Sequence, residues 1–208
     1  MGYLWLKRDS WRSIMLATKH SKQTVTDFMV YFKELVGDAM DMVDMVIGGE
    51  GIEVQIDETK MGRRKYNRGH RVEGVWVLGG VEKTAERKVF AVPVSDRSER
   101  TLIPIIRKHV AKGSIIVTDC WKAYSSLGIG SYYGHQTVNH SKTFKDPVTG
   151  AETNTIEGNW AAIKYGIPKR NRTEKLVEPY LWEFMWRRKN NAALWDAFIY
   201  ALSDVNYE

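Results

Sequence analysis

The chain reads as an α/β protein: a mixed sheet of three antiparallel strands plus parallel strands, flanked by helices, with a small helical extension at the N-terminus. Three observations predict this. Apolar residues recur every three or four positions through residues 1–46, then give way after Gly48-Gly49-Glu50-Gly51 to alternating and continuous apolar runs of strand length. Two of those runs, Val54-Gln55-Ile56 and Ile115-Ile116-Val117-Thr118, close on aspartates, Asp57 and Asp119. Between them an amphipathic pattern over residues 98–112 supplies the crossover helix that sets the second run parallel to the first. The 208 residues, 43% hydrophobic and including eight tryptophans, suffice for one ordinary domain core and exclude a disordered chain.

The expected organisation is a helical N-terminal segment at residues 1–47 and the α/β domain at 48–208. In the first segment Leu4, Trp5, Trp11, Ile14 and Met15 share a helical face, and Val25, Phe28, Met29, Phe32 and Leu35 continue that spacing after Ser21 or Thr24 as a cap. A turn near Lys19-His20-Ser21-Lys22 fits part of a helix-turn-helix and fits equally a helical pair packed on the main domain. Strands follow at 52–57, 74–81 and 88–94. The helix at 98–112 turns Leu102, Ile105, Ile106, His109 and Val110 inward, which makes His109 a hydrogen-bonded core histidine. A buried strand at 114–118, a short helix at 121–127 and a brief strand at 136–138 come next. A polar, turn-rich loop at 139–153 precedes a helix at 155–165, and one long helix at 175–201 ends the pattern.

The net charge of +6 suits an anionic partner. The single cysteine, Cys120, excludes an internal disulfide or a cysteine-based zinc site within the chain and suits a reducing compartment. No run reaches the roughly 20 apolar residues of a membrane span, and nothing at the start resembles a secretory signal, so no membrane partner is expected. The expected location is nuclear in a eukaryotic host and cytoplasmic otherwise.

A strand that runs out at a carboxylate puts that charge on the rim of the sheet. Asp57 and Asp119 there, with Glu157 on the following helix, offer hard oxygen ligands to two Mg²⁺ ions, for which Mn²⁺ can substitute. An aspartate ending a strand is a common turn former; the order Asp, Asp, Glu with the last on a helix is what points to polynucleotidyl transfer. Lys164 follows Glu157 by seven residues, two turns on and on the same face, either to hold a DNA phosphate or as an ordinary solvated lysine. The densest basic run, 60–71, places Lys60, Arg63, Arg64, Lys65 and Arg68 beside the first aspartate, where phosphate contacts guide DNA without reading its sequence. Lys169, Arg170, Arg172 and Lys175 extend a second cluster from Lys164, while Arg187-Arg188-Lys189 reads as an exposed helix face. Trp160 reads as packing its helix on the sheet. His140 has two readings, a contact to DNA or metal-bound water and no site role at all.

Several of these pieces resemble one family. Asp57-Glu58-Thr59-Lys60 with Lys65-Tyr66-Asn67-Arg68-Gly69, Trp76-Val77-Leu78-Gly79-Gly80, Arg97-Ser98 with Thr101-Leu102, and Thr118-Asp119 with Trp121, Ala123 and Tyr124 are similar to the Merlin-type DDE transposases and their bacterial insertion-sequence relatives. So are Asn139-His140-Ser141, Asp146-Pro147 with Thr149-Gly150, Thr153-Asn154-Thr155-Ile156-Glu157 with Trp160 and Lys164, and Tyr180-Leu181-Trp182-Glu183-Phe184. The resemblance covers roughly residues 50–190. It implies a ribonuclease H-like domain that cuts DNA at element ends and joins the 3′-hydroxyls to a target, acting as a homodimer or larger assembly. It makes Asp57, Asp119 and Glu157 the metal-binding acids and Lys164 the phosphate lysine, with Asn154 a rival for the third position. Glu152 stands where the family often has histidine, and the cysteine-based zinc ribbon that relatives carry upstream is missing. Two further functions fit the same residues: a domesticated, transposase-derived DNA-binding protein without transposition, and a plain nuclease of this fold.

Overall fold

A computed structural model describes residues 1–41, 43–62, 74–129, 133–139 and 152–205. Five strands, β1 (Glu53–Lys60), β2 (Trp76–Glu82), β3 (Val89–Val94), β4 (Ile115–Asp119) and β5 (Gly134–Val138), form one sheet in the order β3-β2-β1-β4-β5. The first three make an antiparallel meander, and β4 and β5 join it in parallel on the β1 side. The helices are α1 (Gly2–Leu6), α2 (Trp11–Thr18), α3 (Lys22–Asp38), α4 (Glu99–His109), α5 (Asn154–Gly166), α6 (Glu174–Lys189) and α7 (Leu194–Ser203). This is the ribonuclease H-like arrangement expected from the sequence, with α4 as the crossover into β4. Among the described residues no helix is long and apolar enough to cross a membrane.

The pleat of β1 sorts its side chains between two layers. Val54, Ile56 and Glu58 face α4, where the row Ile56, Gly80, Phe90 runs across three strands and Phe90 stacks on His109 at 4.9 Å. His109 is the core histidine the sequence called for: its Nδ1 lies 3.2 Å from the Met45 carbonyl, and burial lowers its pKa. Gln55, Asp57 and Thr59 face α5 and α6, where the row is Asp57, Gly79, Ala91. A Cβ on Gly79 would sit 2.6 Å from the Trp160 ring, so a glycine there lets the indole approach the sheet. The Ala91 N–H points at the Met185 sulfur of α6 at 3.2 Å.

The N-terminal helices begin at side-chain caps: Ser10 accepts from the Ser13 N–H, and Ser21, not Thr24, accepts from the Thr24 N–H. α3 packs on α6 and α7, and Trp5, Phe32 and Phe198 form an aromatic cluster continuous with the core of the sheet.

Four local expectations change. β1 does not stop at Asp57 but runs to Lys60, because pairing with β2 continues through Thr59–Val77 and Lys60–Trp76. The helix expected at 121–127 is a single 3₁₀ turn, Lys122–Tyr124. The long terminal helix is two: α6 ends where the Asn190 side chain donates to the Trp186 carbonyl, and Ala193 leaves helical geometry at φ −146° before α7 starts. Arg187 is not exposed. It is 6% accessible, donates to the Leu6 and Trp5 carbonyls at the end of α1 and pairs with Glu183 at 2.8 Å, so these contacts draw the guanidinium inward.

Gly79→Ala is expected to push Trp160 off the sheet and destabilise the protein by about 1–3 kcal/mol. In urea the midpoint falls while the m-value stays that of the wild type.

Candidate active site

The parallel ladder between β1 and β4 is short, Glu53 to Gln55 against Ile115 to Val117. Two residues further along the same register Asp57 comes opposite Asp119, where the pairing has ended and the strands are free to part. Each aspartate is still held on its other side, Asp57 by Gly79 of β2 and Asp119 by Val138 of β5. The extended register thus brings the two aspartates near enough for the Asp119 charge to act on Asp57. Asp119 Oδ1 accepts the Trp121 N–H at 2.9 Å, in the turn that ends β4. Asp57 Oδ2 accepts the Trp160 Nε1–H at 2.9 Å.

The electrostatics follow from this crowding. Burial pushes the Asp57 carboxyl up to about 6, and the negative charges of Glu58 and Asp119 push the same way against the Trp160 and backbone hydrogen bonds. Glu58, on the α4 face, is raised by burial; the Tyr124 hydroxyl donates to it and the Arg97 charge opposes the rise. Arg97 Nε lies 2.9 Å from Glu58 Oε1 as an ion pair, although its N–H is not aimed at that oxygen. The guanidinium carbon is 4.5 Å from the Trp76 ring centre and 4.4 Å from that of Trp121, a cation held between two indoles.

Helix α5 is fastened to the same strand. Its N-cap residue, Thr153, makes no side-chain cap bond; instead the buried Gln55 of β1 takes the Thr155 and Ile156 N–H groups on Oε1 at 3.0 and 3.1 Å. At the far end Lys164 Nζ donates to Thr59 Oγ1 at 2.5 Å. Lys164 is therefore no freely solvated lysine. Burial and the charge of Arg172 lower its pKa, and the nearby Asp57 opposes that.

Of the predicted acids, Asp57 and Asp119 are brought together. Glu157 is exposed in the first turn of α5, and among the described residues no three His, Cys, Asp or Glu side chains are grouped closely enough to hold a metal ion. Its rival Asn154 is exposed one turn earlier, its amide 3.3 Å from Glu152 Oε2. Lys60 is exposed at the end of β1 with its ammonium 5.4 Å from the Trp76 ring centre, and Lys169 and Arg170 are exposed on a 3₁₀ turn, Lys169–Asn171. Arg63, Arg64, Lys65, Arg68 and His140 lie outside the described residues. The chain leaves β1 at Gly62 (φ 80°), where a Cβ would lie 2.6 Å from the Arg172 carbonyl; that exit adjoins the turn carrying Lys169 and Arg170.

Sequence reasoning passed over Gln55, the Trp160 N–H and the Glu58–Tyr124–Arg97 group. The available signal for Gln55 was a polar residue inside an apolar run, two positions before Asp57 and so on the same face.

A five-stranded mixed sheet in this order, with helices on both faces, is compatible with a ribonuclease H-like domain. Residues 38–189 match the family model of the ISXO2-like transposase domain, and the chain belongs to that family. An uncharacterized transposase-like protein of Haemophilus influenzae (strain ATCC 51907 / DSM 11121 / KW20 / Rd) is 35% identical over 105 residues, which is 50% of this chain and 83% of that protein. The family implies DNA as substrate.

Asp57 has a native pKa of about 6 against an ordinary 3.8, so the folded state binds the extra proton between those values and stability falls as pH rises through that window. Asp57→Asn removes this fall. In the metal-free protein the variant is expected to be more stable than wild type above pH 6, by on the order of 2 kcal/mol, with the gap closing towards pH 4 in urea titrations.

Proposed function

We propose that the chain is the catalytic core of a DDE-type transposase, related to the Merlin elements as well as to bacterial insertion sequences, that cleaves DNA at element ends and transfers the 3′-hydroxyls to target DNA. The observation that carries this is the register-matched pair Asp57 and Asp119 at the point where the β1–β4 ladder ends, in a chain of the ISXO2-like family. The donor set, which waters and substrate phosphate would have to complete, suits two Mg²⁺ ions in its chemistry, with Mn²⁺ as a substitute. It consists of hard oxygens, and the Asp57 carboxyl is raised by burial with two neighbouring negative charges adding to the rise, a repulsion that a cation relieves. Bound there, the two metals would supply activation of the attacking oxygen and stabilisation of the leaving one.

The chain's own residues then have separable tasks. Asp57 and Asp119 hold the metals. Glu157, charged and on the helix fastened to β1, completes the set, with Asn154 as the rival position. Lys164, whose ammonium is close enough to Asp57 to feel its charge, holds a phosphate of the scissile strand. Lys60, Lys169 and Arg170, with Arg63, Arg64, Lys65 and Arg68 of the basic run, steer the DNA backbone. A homodimer or larger assembly would hold both element ends.

Cleavage of a labelled duplex with Mg²⁺ or Mn²⁺ is expected to disappear in Asp57→Ala and in Asp119→Ala while filter binding of DNA persists. Glu157→Ala is expected to lose more cleavage than Asn154→Ala. Cleavage unchanged in either aspartate variant overturns the metal assignment. DNA binding without cleavage on any substrate moves the chain to the domesticated binding protein. Replacing Lys169 and Arg170 together by alanine should weaken DNA binding across all sequences and lower the salt slope by about one for each phosphate no longer neutralised.

A further inference from the structure

We propose that Trp160 is a positioning residue for Asp57: its indole N–H fixes one carboxylate oxygen and thereby sets how the carboxylate presents itself to a divalent cation. The inference rests on Asp57 being a metal ligand. Three observations carry it.

The first is the bond itself. Trp160 is 5% accessible and its Nε1 is 2.9 Å from Asp57 Oδ2. Packing alone asks only for a large apolar ring; it does not require the ring's one polar atom to meet the carboxylate. The second is how the ring is held. The residue paired with Asp57 on β2 is Gly79, and a Cβ at that position would lie 2.6 and 3.0 Å from two carbons of the indole. The absence of a side chain directly beside Asp57 is what seats the donor there. The third is the helix. Gln55 binds the Thr155 and Ile156 N–H groups before Trp160, and Lys164 binds Thr59 after it, so α5 cannot slide along β1 without breaking a hydrogen bond on either side of the indole. The terminal torsion of an aspartate is broad and nearly two-fold, so the Asp57 oxygens are ordered by the hydrogen bonds they accept, and the indole N–H adds to the one from the Glu58 backbone. Donors that orient a metal-binding group are worth about 10–100-fold in metal affinity.

The test is Mn²⁺ binding to the full chain without DNA, by electron paramagnetic resonance of free Mn²⁺, alongside thermal unfolding in EDTA. Trp160→Phe keeps an aromatic ring and deletes the N–H. Replacing Trp160 by benzothienylalanine, with sulfur where indole has N–H, keeps the ring size as well and decides the matter if the phenylalanine variant does not fold. The expected result is at least tenfold weaker Mn²⁺ binding by the folded variants, with binding lost in Asp57→Asn. A purely structural role would lower the unfolding temperature and leave the affinity of the folded protein alone. Affinity within twofold of wild type in the benzothienylalanine protein, with Asp57→Asn still losing the metal, overturns the role of Trp160 and leaves Asp57 a ligand. Mn²⁺ binding indifferent to Asp57→Asn overturns both.

Discussion

Three polar contacts between β1 and α5 set the geometry of everything around the paired aspartates. Gln55 accepts from the start of the helix, Asp57 from its middle at Trp160, and Thr59 from Lys164 near its end. The rungs fit because the two rises agree. Four strand residues from Gln55 to Thr59 span about 13 Å, and eight helical residues from Ile156 to Lys164 span about 12 Å. Every second residue of the strand therefore meets roughly every fourth of the helix. A buried amide, a carboxylate and a hydroxyl inside a sheet would each be costly unpaired. Here each is satisfied by the same helix, and one arrangement of helix on strand satisfies all three.

The other face of β1 carries a second polar group that works differently. Glu58 points away from α5, takes the Tyr124 hydroxyl and pairs with Arg97, which lies between Trp76 and Trp121. Trp121 is also bonded to Asp119 Oδ1 through its N–H and to the Arg97 carbonyl through its indole at 3.3 Å. The turn after β4 is thereby fastened to β1 and to the start of α4. The two aspartates are braced from opposite sides of the sheet: Asp57 by α5, Asp119 by this aromatic and cationic group. Three acidic side chains remain near one another; burial first, and then their mutual repulsion, raises the pKa values of Asp57 and Glu58, and Arg97 opposes the rise at Glu58.

The sheet was legible because its signals are local. Alternation in β1, continuous apolar runs in β2 to β4 and a 3.6-residue period in α4 each sit within a dozen residues. Asp57 and Asp119 were legible for the same reason, as carboxylates that close apolar runs. What escaped has its partners far along the chain. Trp160 and Asp57 are 103 residues apart, and Arg187 reaches a carbonyl 182 residues away. An arginine in an Arg-Arg-Lys run carries no local mark of burial, since the carbonyls that draw it in belong to another helix. The break between α6 and α7 was a different kind of miss: apolar spacing continues across it, but Asn190 and Asn191 bring turn chemistry that outweighs the spacing.

The same three rungs bear on the third acid of the proposed site. Because Gln55 grips the N–H groups of Thr155 and Ile156, the backbone carrying Asn154 and Glu157 is fixed relative to Asp57, and rigid movement of α5 is no route by which either residue approaches the pair. What distinguishes them is then side-chain reach and charge alone. Glu157 has one methylene more than asparagine and a full negative charge; Asn154 has an amide already turned towards Glu152. Both lie in the helix's first turn, where the helix end favours an anionic side chain over a neutral amide. A hard divalent cation that neutralised Asp57 and Asp119 would draw the charged side chain more strongly than the amide, so the proposed third ligand would be settled by charge, on a helix that the strand holds still.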